Sequence, residues 1–224
     1  MLTKSVLSRL TLRFVLVGSV IATLLAMGVM PVQAATAPNM GALGPCAVLA
    51  GQHIFSAGTS VVTGNLCLSP GPLTQITFPT PPNVLNGTRH AADGPALAAQ
   101  ASWISANGFL SAQPGATPKG KLGTGTSASI APGIYDITGI GGAVTLQGAG
   151  VYIFRGSNLL FDAGTNMILA GGASACNVFW QDASSTTVNS TANIVGNIFA
   201  VTSIVLKSGA NLRGRALAQN ADVT

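Results

Sequence analysis

The segment Val151-Tyr152-Ile153-Phe154 returns in approximate form as Asn177-Val178-Phe179-Trp180, as Asn197-Ile198-Phe199-Ala200 and as Arg215-Ala216-Leu217-Ala218. The starts lie 26, 20 and 18 residues apart. A loose period near 20 with three short strands per turn suits a β-solenoid, in which each coil covers the core of the next. Residues 142–146, 166–169 and 203–206 are also short apolar-alternating runs, set off by Gly, Asn, Asp and Ser. The gaps between runs are too short for crossover helices. A β-meander could use the same turns, but the self-similarity favours stacked coils.

Before this repeating half the pattern differs. Residues 46–78 hold brief β-type runs, Ala47-Val48-Leu49 and Ser60-Val61-Val62-Thr63, and the Pro-rich stretch 80–86 reads as loop. One helix is expected, over 91–111. Ala96, Leu97, Ala101, Ile104 and Phe109 recur at helical spacing, Asp93 can cap the start, Pro95 suits the first turn, and Gln113-Pro114-Gly115 ends the segment.

Residues 1–34 read as a secretory signal peptide. Lys4, Arg9 and Arg13 form its basic region, a charge-free apolar run follows from Phe14 to Met30, and Val32-Gln33-Ala34 supplies small residues for cleavage after Ala34. The expected domain is then a single one over 35–224, in an extracellular protein. A retained membrane anchor is the alternative, because the apolar run is about as short as a spanning helix can be. Only 7% of the chain is charged and 48% is hydrophobic. With the leader set aside, seven basic residues face five acidic ones, a net charge of +2. That is too little for a surface that tracks nucleic-acid phosphates. Export permits disulfides. Of Cys46, Cys67 and Cys176 one must be unpaired or intermolecular, and three pairings are open. No Cys-x-x-Cys or Cys/His cluster suggests a metal.

Catalytic chemistry needs polar groups that converge. The chain has no Glu, its five Asp (93, 136, 162, 182, 222) are scattered, and His53 and His90 read as solvated or structural. Gly172-Ala173-Ser174-Ala175-Cys176 is no nucleophile elbow: it ends in Cys and leads into a strand. Asp162 with Arg155 is a thin echo of the sites of solenoid lyases. No phosphate loop or dinucleotide fingerprint is present. Neither an enzyme, nor a cofactor, nor a small-molecule substrate is expected. Asn86-Gly87-Thr88 and Asn189-Ser190-Thr191 match the glycosylation sequon.

Several motifs in fixed order resemble the widespread microbial ice-binding (antifreeze) proteins. They are Ala47-Val48-Leu49-Ala50-Gly51, the stretch from Val62 to Gly71, Ala131-Pro132-Gly133-Ile134-Tyr135, Asn177-Val178-Phe179-Trp180-Gln181, Gly196-Asn197-Ile198, Thr202-Ser203-Ile204 and Gly214-Arg215-Ala216-Leu217-Ala218. The resemblance runs from about Gly41 to Thr224. It implies a mainly β fold, a right-handed discontinuous β-solenoid of triangular section with one long helix packed along a face. It implies a non-enzymatic, usually secreted protein whose partner is the ice surface, and a monomer is expected. The ice-binding surface would be a flat, helix-free strand face. Alternation on the matching strands puts Ile137, Leu159, Phe161, Val188, Ile204 and Leu206 inward. The candidate face is then Thr138, Asn158, Leu160, Ser185, Thr187, Asn189, Ser203, Val205, Lys207 and Thr224.

The resemblance also has departures. Val205, Lys207, Arg213, His53 and Phe55 stand where the family commonly has Thr and Asn, and Lys207 would interrupt a water lattice. The chain's last strand stops at Thr224, short of the usual ending. Cys46 and Cys67 take positions usually filled by other residues on neighbouring coils, so a Cys46–Cys67 disulfide is expected, with Cys176 a buried free thiol. A cell-surface adhesin or carbohydrate-binding solenoid that uses the same face is the alternative function.

Overall fold

The computed structural model describes residues 34–124 and 128–224. The leader read in residues 1–34 lies outside the described residues except for Ala34. The rest is a β-solenoid in which all strand pairing is parallel, built as three faces.

The first and longest face stacks Gly133–Ile140, Tyr152–Gly156, Val178–Asp182, Asn193–Ala200, Asn211–Ala218, Cys46–Ala50, Asn65–Leu68 and Arg89–Ala91, in that order. The order is not that of the chain. The C-terminal strand Asn211–Ala218 pairs with the early strand Cys46–Ala50 through Val48↔Ala216 and Leu49↔Leu217. After Arg89–Ala91 the chain must therefore return to the far end of the stack before it can lay down Thr117–Leu122 beside Gly133–Ile140. The helix Gly94–Ala112 makes that return. Its 19 residues span about 28 Å at 1.5 Å per residue, close to the roughly 34 Å across seven strand spacings.

The helix starts at Gly94, three residues after the position read from sequence, because Arg89–Ala91 is taken by the ladder against Leu66, Cys67 and Leu68. Asp93 caps it, its Oδ1 accepting the Ala96 N–H at 3.0 Å. The buried side is also different from the expected one. Ala96, Ala99, Trp103, Ala106 and Leu110 face the sheet, while Leu97 and Ile104 are 55% and 56% exposed and Phe109 is also outside. The physical reason is separation. Ala99 and Ala106 let the helix axis come close to Ile134, Ile153, Phe179, Phe199 and Leu217, and Trp103 and Leu110 fill the remaining space. The Trp103 Nε1–H donates to the Leu217 carbonyl at 2.9 Å. Cys46 and Cys67 lie in this layer and form a disulfide. Cys176 does not match its expected burial. It sits on the short turn Ala175–Asn177, exposed and unpaired, because that turn runs outside the strand stack.

The inner core is a column of stacked rungs. Tyr135, Phe154 and Trp180 stand in register on successive strands, with ring centroids 5.6 Å and then 4.3 Å apart. Phe161 meets Trp180 edge-on at 5.0 Å, and the Trp180 N–H reaches the Val195 carbonyl. Glycines turn the corner between the first face and the next. A Cβ on Gly214 would strike the Gly196 carbonyl, so coils can stack there only without side chains.

The second face holds Ala128–Ile130, Ala143–Gln147 and Asn166–Ala170 in parallel, continued by the N-terminal ends of Asn193–Ala200 and Asn211–Ala218. Arg213 projects from this side, opposite Val195, and so is not part of the face assigned to it by resemblance. Val61–Thr63 pairs with Val84–Asn86, so the end of the stretch read as loop is a strand. The Pro-rich part, 80–83, remains irregular.

Candidate functional site

Among the described residues the third face carries no helix. It is built from Leu160–Phe161, Thr186–Val188, Ile204–Leu206, the bridge residue Val223, Ile54–Phe55 and Ile76–Thr77. Phe161, Val188, Ile204, Val223, Ile54 and Ile76 point into the core and are buried. Period-two alternation therefore throws the neighbouring residues outward on one side. The registers Leu160↔Thr187, Thr187↔Val205, Ile204↔Val223, Ile54↔Val223 and Phe55↔Thr77 place Leu160, Thr187, Val205, Thr224, Phe55 and Thr77 in one row. Successive members are about 4.8 Å apart.

A second outward row runs beside it. The Ser203 hydroxyl donates to the Ser185 hydroxyl at 3.0 Å, and the Ile204 N–H donates to the Asp222 carbonyl at 2.9 Å. Next comes His53, whose Nδ1 lies 3.0 Å from the Asp222 Oδ1. Asn189 and Lys207 follow Val188 and Leu206 directly and lie at the strand ends, held by N–H donation to the Phe161 and Val188 carbonyls at 3.0 and 2.9 Å. Beside them Lys121 pairs with Asp162 at 2.6 Å.

Asp182 sets the corner where this face begins. It is fully buried. Its Oδ1 accepts the N–H groups of Asn158 and Ser184, both at 2.9 Å, and its Oδ2 accepts the Leu159 N–H and the Thr186 hydroxyl, both at 2.8 Å. One carboxylate thus fixes the entry of two adjacent strands and aligns Leu160 with Thr187. Asn158 stands in the bend, with φ at 56°, exposed at the corner rather than on a strand.

Of the ten candidates, Leu160, Thr187, Val205 and Thr224 share the row, and Thr138 leaves the face. The ladder slips between Ile137 and Gly139, so Gly139 pairs with Lys121 and approaches the Leu160 carbonyl, while Thr138 turns into a shallow groove with Asp136, Arg155 and Gln181. Conversely, Phe55 and Thr77 belong to the row, and His53 and Asp222 to its neighbour. Thr77 had no local signal, because its place depends on which coil stacks on Val223.

Each carboxylate has a structural partner. Asp93 caps the helix, Asp136 accepts the Arg155 Nε–H at 2.9 Å, Asp162 meets Lys121, Asp182 holds its corner and Asp222 meets His53. Arg155 is therefore paired with Asp136 rather than Asp162, and its Nη1 also donates to the carbonyls of Ser111 and Gln113 at the helix end. What the third face offers is a parallel ladder whose stretch from Thr187 through Val205 to Thr224 carries short hydroxyl and methyl groups.

Comparison with known proteins agrees with this geometry. A family model described as ice-binding-like matches residues 48–224. The chain is similar to an ice-binding protein of Nostoc sp. (strain HG1), 34% identical over 198 residues that take in 84% of this chain and 70% of that one. Ice-binding protein 1 of Shewanella frigidimarina (strain NCIMB 400) is 29% identical over 225 residues, 84% of this chain but 25% of the relative. Among solved structures, an ice binding protein from an Antarctic biological consortium superposes with a TM-score of 0.76 at 32% identity, covering 88% of this chain and 92% of that one. The ice-binding protein of the Antarctic ascomycete Antarctomyces psychrotrophicus gives a TM-score of 0.77 at 29% identity, covering 84% and 95%.

Proposed function

The chain belongs to the ice-binding-like family, and from that premise we propose that it adsorbs to ice through its helix-free face and slows ice growth and recrystallisation. One observation carries the reading: Leu160, Thr187, Val205 and Thr224 stand in a single outward register on a parallel ladder, beside Ser185 and Ser203.

The mechanism follows from that array. Backbone ladders fix the spacing along the row, and the packed core beneath fixes its level. Hydroxyls of Thr187, Thr224, Ser185 and Ser203 hold water by hydrogen bonds, while the methyls of Thr187 and Val205 favour cage-like hydration between them. The ordered layer merges with the ice lattice. Each contact is weak and the rigid row sums them. Ice then advances only as curved fronts between adsorbed molecules, which stops its growth. Asn158, Asn189 and Lys207 form the rim, and Thr138 lies at the margin.

The protein acts without catalysis or cofactor, as a secreted monomer. The basic-then-apolar leader supports export, with residues 1–34 removed after Ala34. Among the described residues no helix is long and apolar enough to cross a membrane. Thr187→Tyr tests the site, because a ring in the middle of the row lifts the lattice away. Ice recrystallisation at micromolar protein should be inhibited by the wild type and not by the variant. Activity retained in Thr187→Tyr moves the site to another face. A wild type that ignores ice but is retained on glycan or cell-wall material replaces this function with adhesion.

A further inference from the structure

One side chain breaks the level of the helix-free face from within. Phe55 stands between Thr224 and Thr77 in the outward row and is 44% exposed. Its position is fixed by the backbone: its own N–H donates to the Val223 carbonyl and the next N–H, of Ser56, donates to the Thr77 carbonyl, both at 3.0 Å. Side chains on strands stand roughly perpendicular to the sheet. Its neighbours Thr224 and Thr77 end at Cγ, whereas Phe55 carries a phenyl ring beyond that atom and is 44% exposed. Leu160, the other bulky member, stands toward the opposite end of the row and divides nothing of comparable length.

Resting on the ice-binding reading above, we propose that Phe55 limits the extent of ice contact by dividing the row into two terraces. Leu160, Thr187, Val205 and Thr224 form the terrace that meets ice, about 14 Å long over three strand spacings. Thr77 lies behind the ring and is held off the lattice. Removing the ring joins the terraces into a row of about 24 Å over five spacings. Phe55 thus sets potency, and it does so by height rather than by polarity. The substitution leaves the ladder untouched, since the hydrogen bonds on both sides are made by backbone atoms, and β-branched residues are favoured on strands.

The test compares the full chain with Phe55→Thr, Phe55→Val and Phe55→Tyr, with Thr187→Tyr as reference, in ice recrystallisation across a dilution series. Phe55→Thr and Phe55→Val should each lower the concentration that halts recrystallisation by roughly twofold or more, in line with the longer row, and Phe55→Tyr should match the wild type. Two kinds of result overturn the proposal while leaving the ice-binding reading intact, provided Thr187→Tyr still abolishes activity. One is unchanged or weakened activity in both Phe55→Thr and Phe55→Val, which makes the ring part of the contact. The other is a gain in Phe55→Thr alone, which makes polarity the cause. If neither the wild type nor any variant affects ice, both readings fall together.

Discussion

His53 and Asp222 are 169 positions apart in the chain and 3.0 Å apart in space, Nδ1 against Oδ1. The same carboxylate oxygen also accepts the His53 backbone N–H at 3.0 Å. Together with the Ile54–Val223 bridge, this pair is the seam at which the early coils continue what the last coil began. The helix-free face is therefore assembled from both parts of the chain, and its stiffness depends on contacts away from the row itself.

Asp182 is the contact of that kind with the largest expected effect. Asp182→Ala removes four hydrogen bonds in a fully buried site and leaves the N–H groups of Asn158, Leu159 and Ser184 without their acceptor. Denaturant unfolding should show a loss of about 3 kcal/mol or more. Recrystallisation inhibition should also weaken in protein that is still folded, because the registers of Leu160 and Thr187 are no longer tied together. A variant as stable and as active as the wild type would show that the strand ladder alone holds this corner.

The helix gives a prediction with an internal control. Trp103 is buried and bonded to the Leu217 carbonyl, whereas Ile104, the next residue, faces outward. Trp103→Ala should cost about 3–5 kcal/mol. Ile104→Ser should stay within about 0.5 kcal/mol. Thermal melts of the two variants would show the reverse order if the helix packed through the Leu97–Ile104–Phe109 side.

The cysteines predict a thiol count. With Cys46 bonded to Cys67 and Cys176 exposed, a thiol reagent should titrate one group in the native protein and still one after denaturation without reductant. Replacing both Cys46 and Cys67 with Ala should cost about 3 kcal/mol, the loop-closure value for a separation of 21 residues. Three titrating groups in the denatured protein would exclude the bond.

Asp93 gives a pH dependence whose sign can be worked out. The Ala96 N–H and then the His90 side chain hold its carboxyl below the ordinary value of 3.8. A lowered carboxyl favours the folded state at pH above the unfolded value, and that contribution is lost as pH falls through the folded one. Asp93→Ala should melt below the wild type at neutral pH, and the gap should close as pH drops below about 3.8. A gap that stays constant down to pH 2 would mean that the charge plays no part in the cap.

Much of the solenoid was legible in local alternation. On the short strands of the helix-free face, apolar residues at every second position mark which side chains enter the core, and Phe161, Val188 and Ile204 do so as the pattern requires, whereas first-face strands such as Val178–Asp182 are buried at every position. Thr187 and Val205 face outward by the same rule. Thr138 escaped it, because a one-residue slip beside Gly139 is invisible to periodicity. The helix was visible as a segment but not in orientation. Leucine, isoleucine and phenylalanine carry the stronger hydrophobic signal, yet the alanines are what permit close packing on the sheet.

The amino-acid order alone determined most strands of the repeating half, the inward place of Phe161, Val188 and Ile204, and the presence of one helix. Tertiary structure decided the order in which coils stand, and hence that Phe55 and Thr77 extend the row that ends in the C-terminal segment at Thr224. The reason is that parallel ladders join through backbone groups common to every residue. The neighbour of a coil is chosen by distant packing, such as Ala216 against Val48 and Val223 against Ile54, which no local pattern encodes.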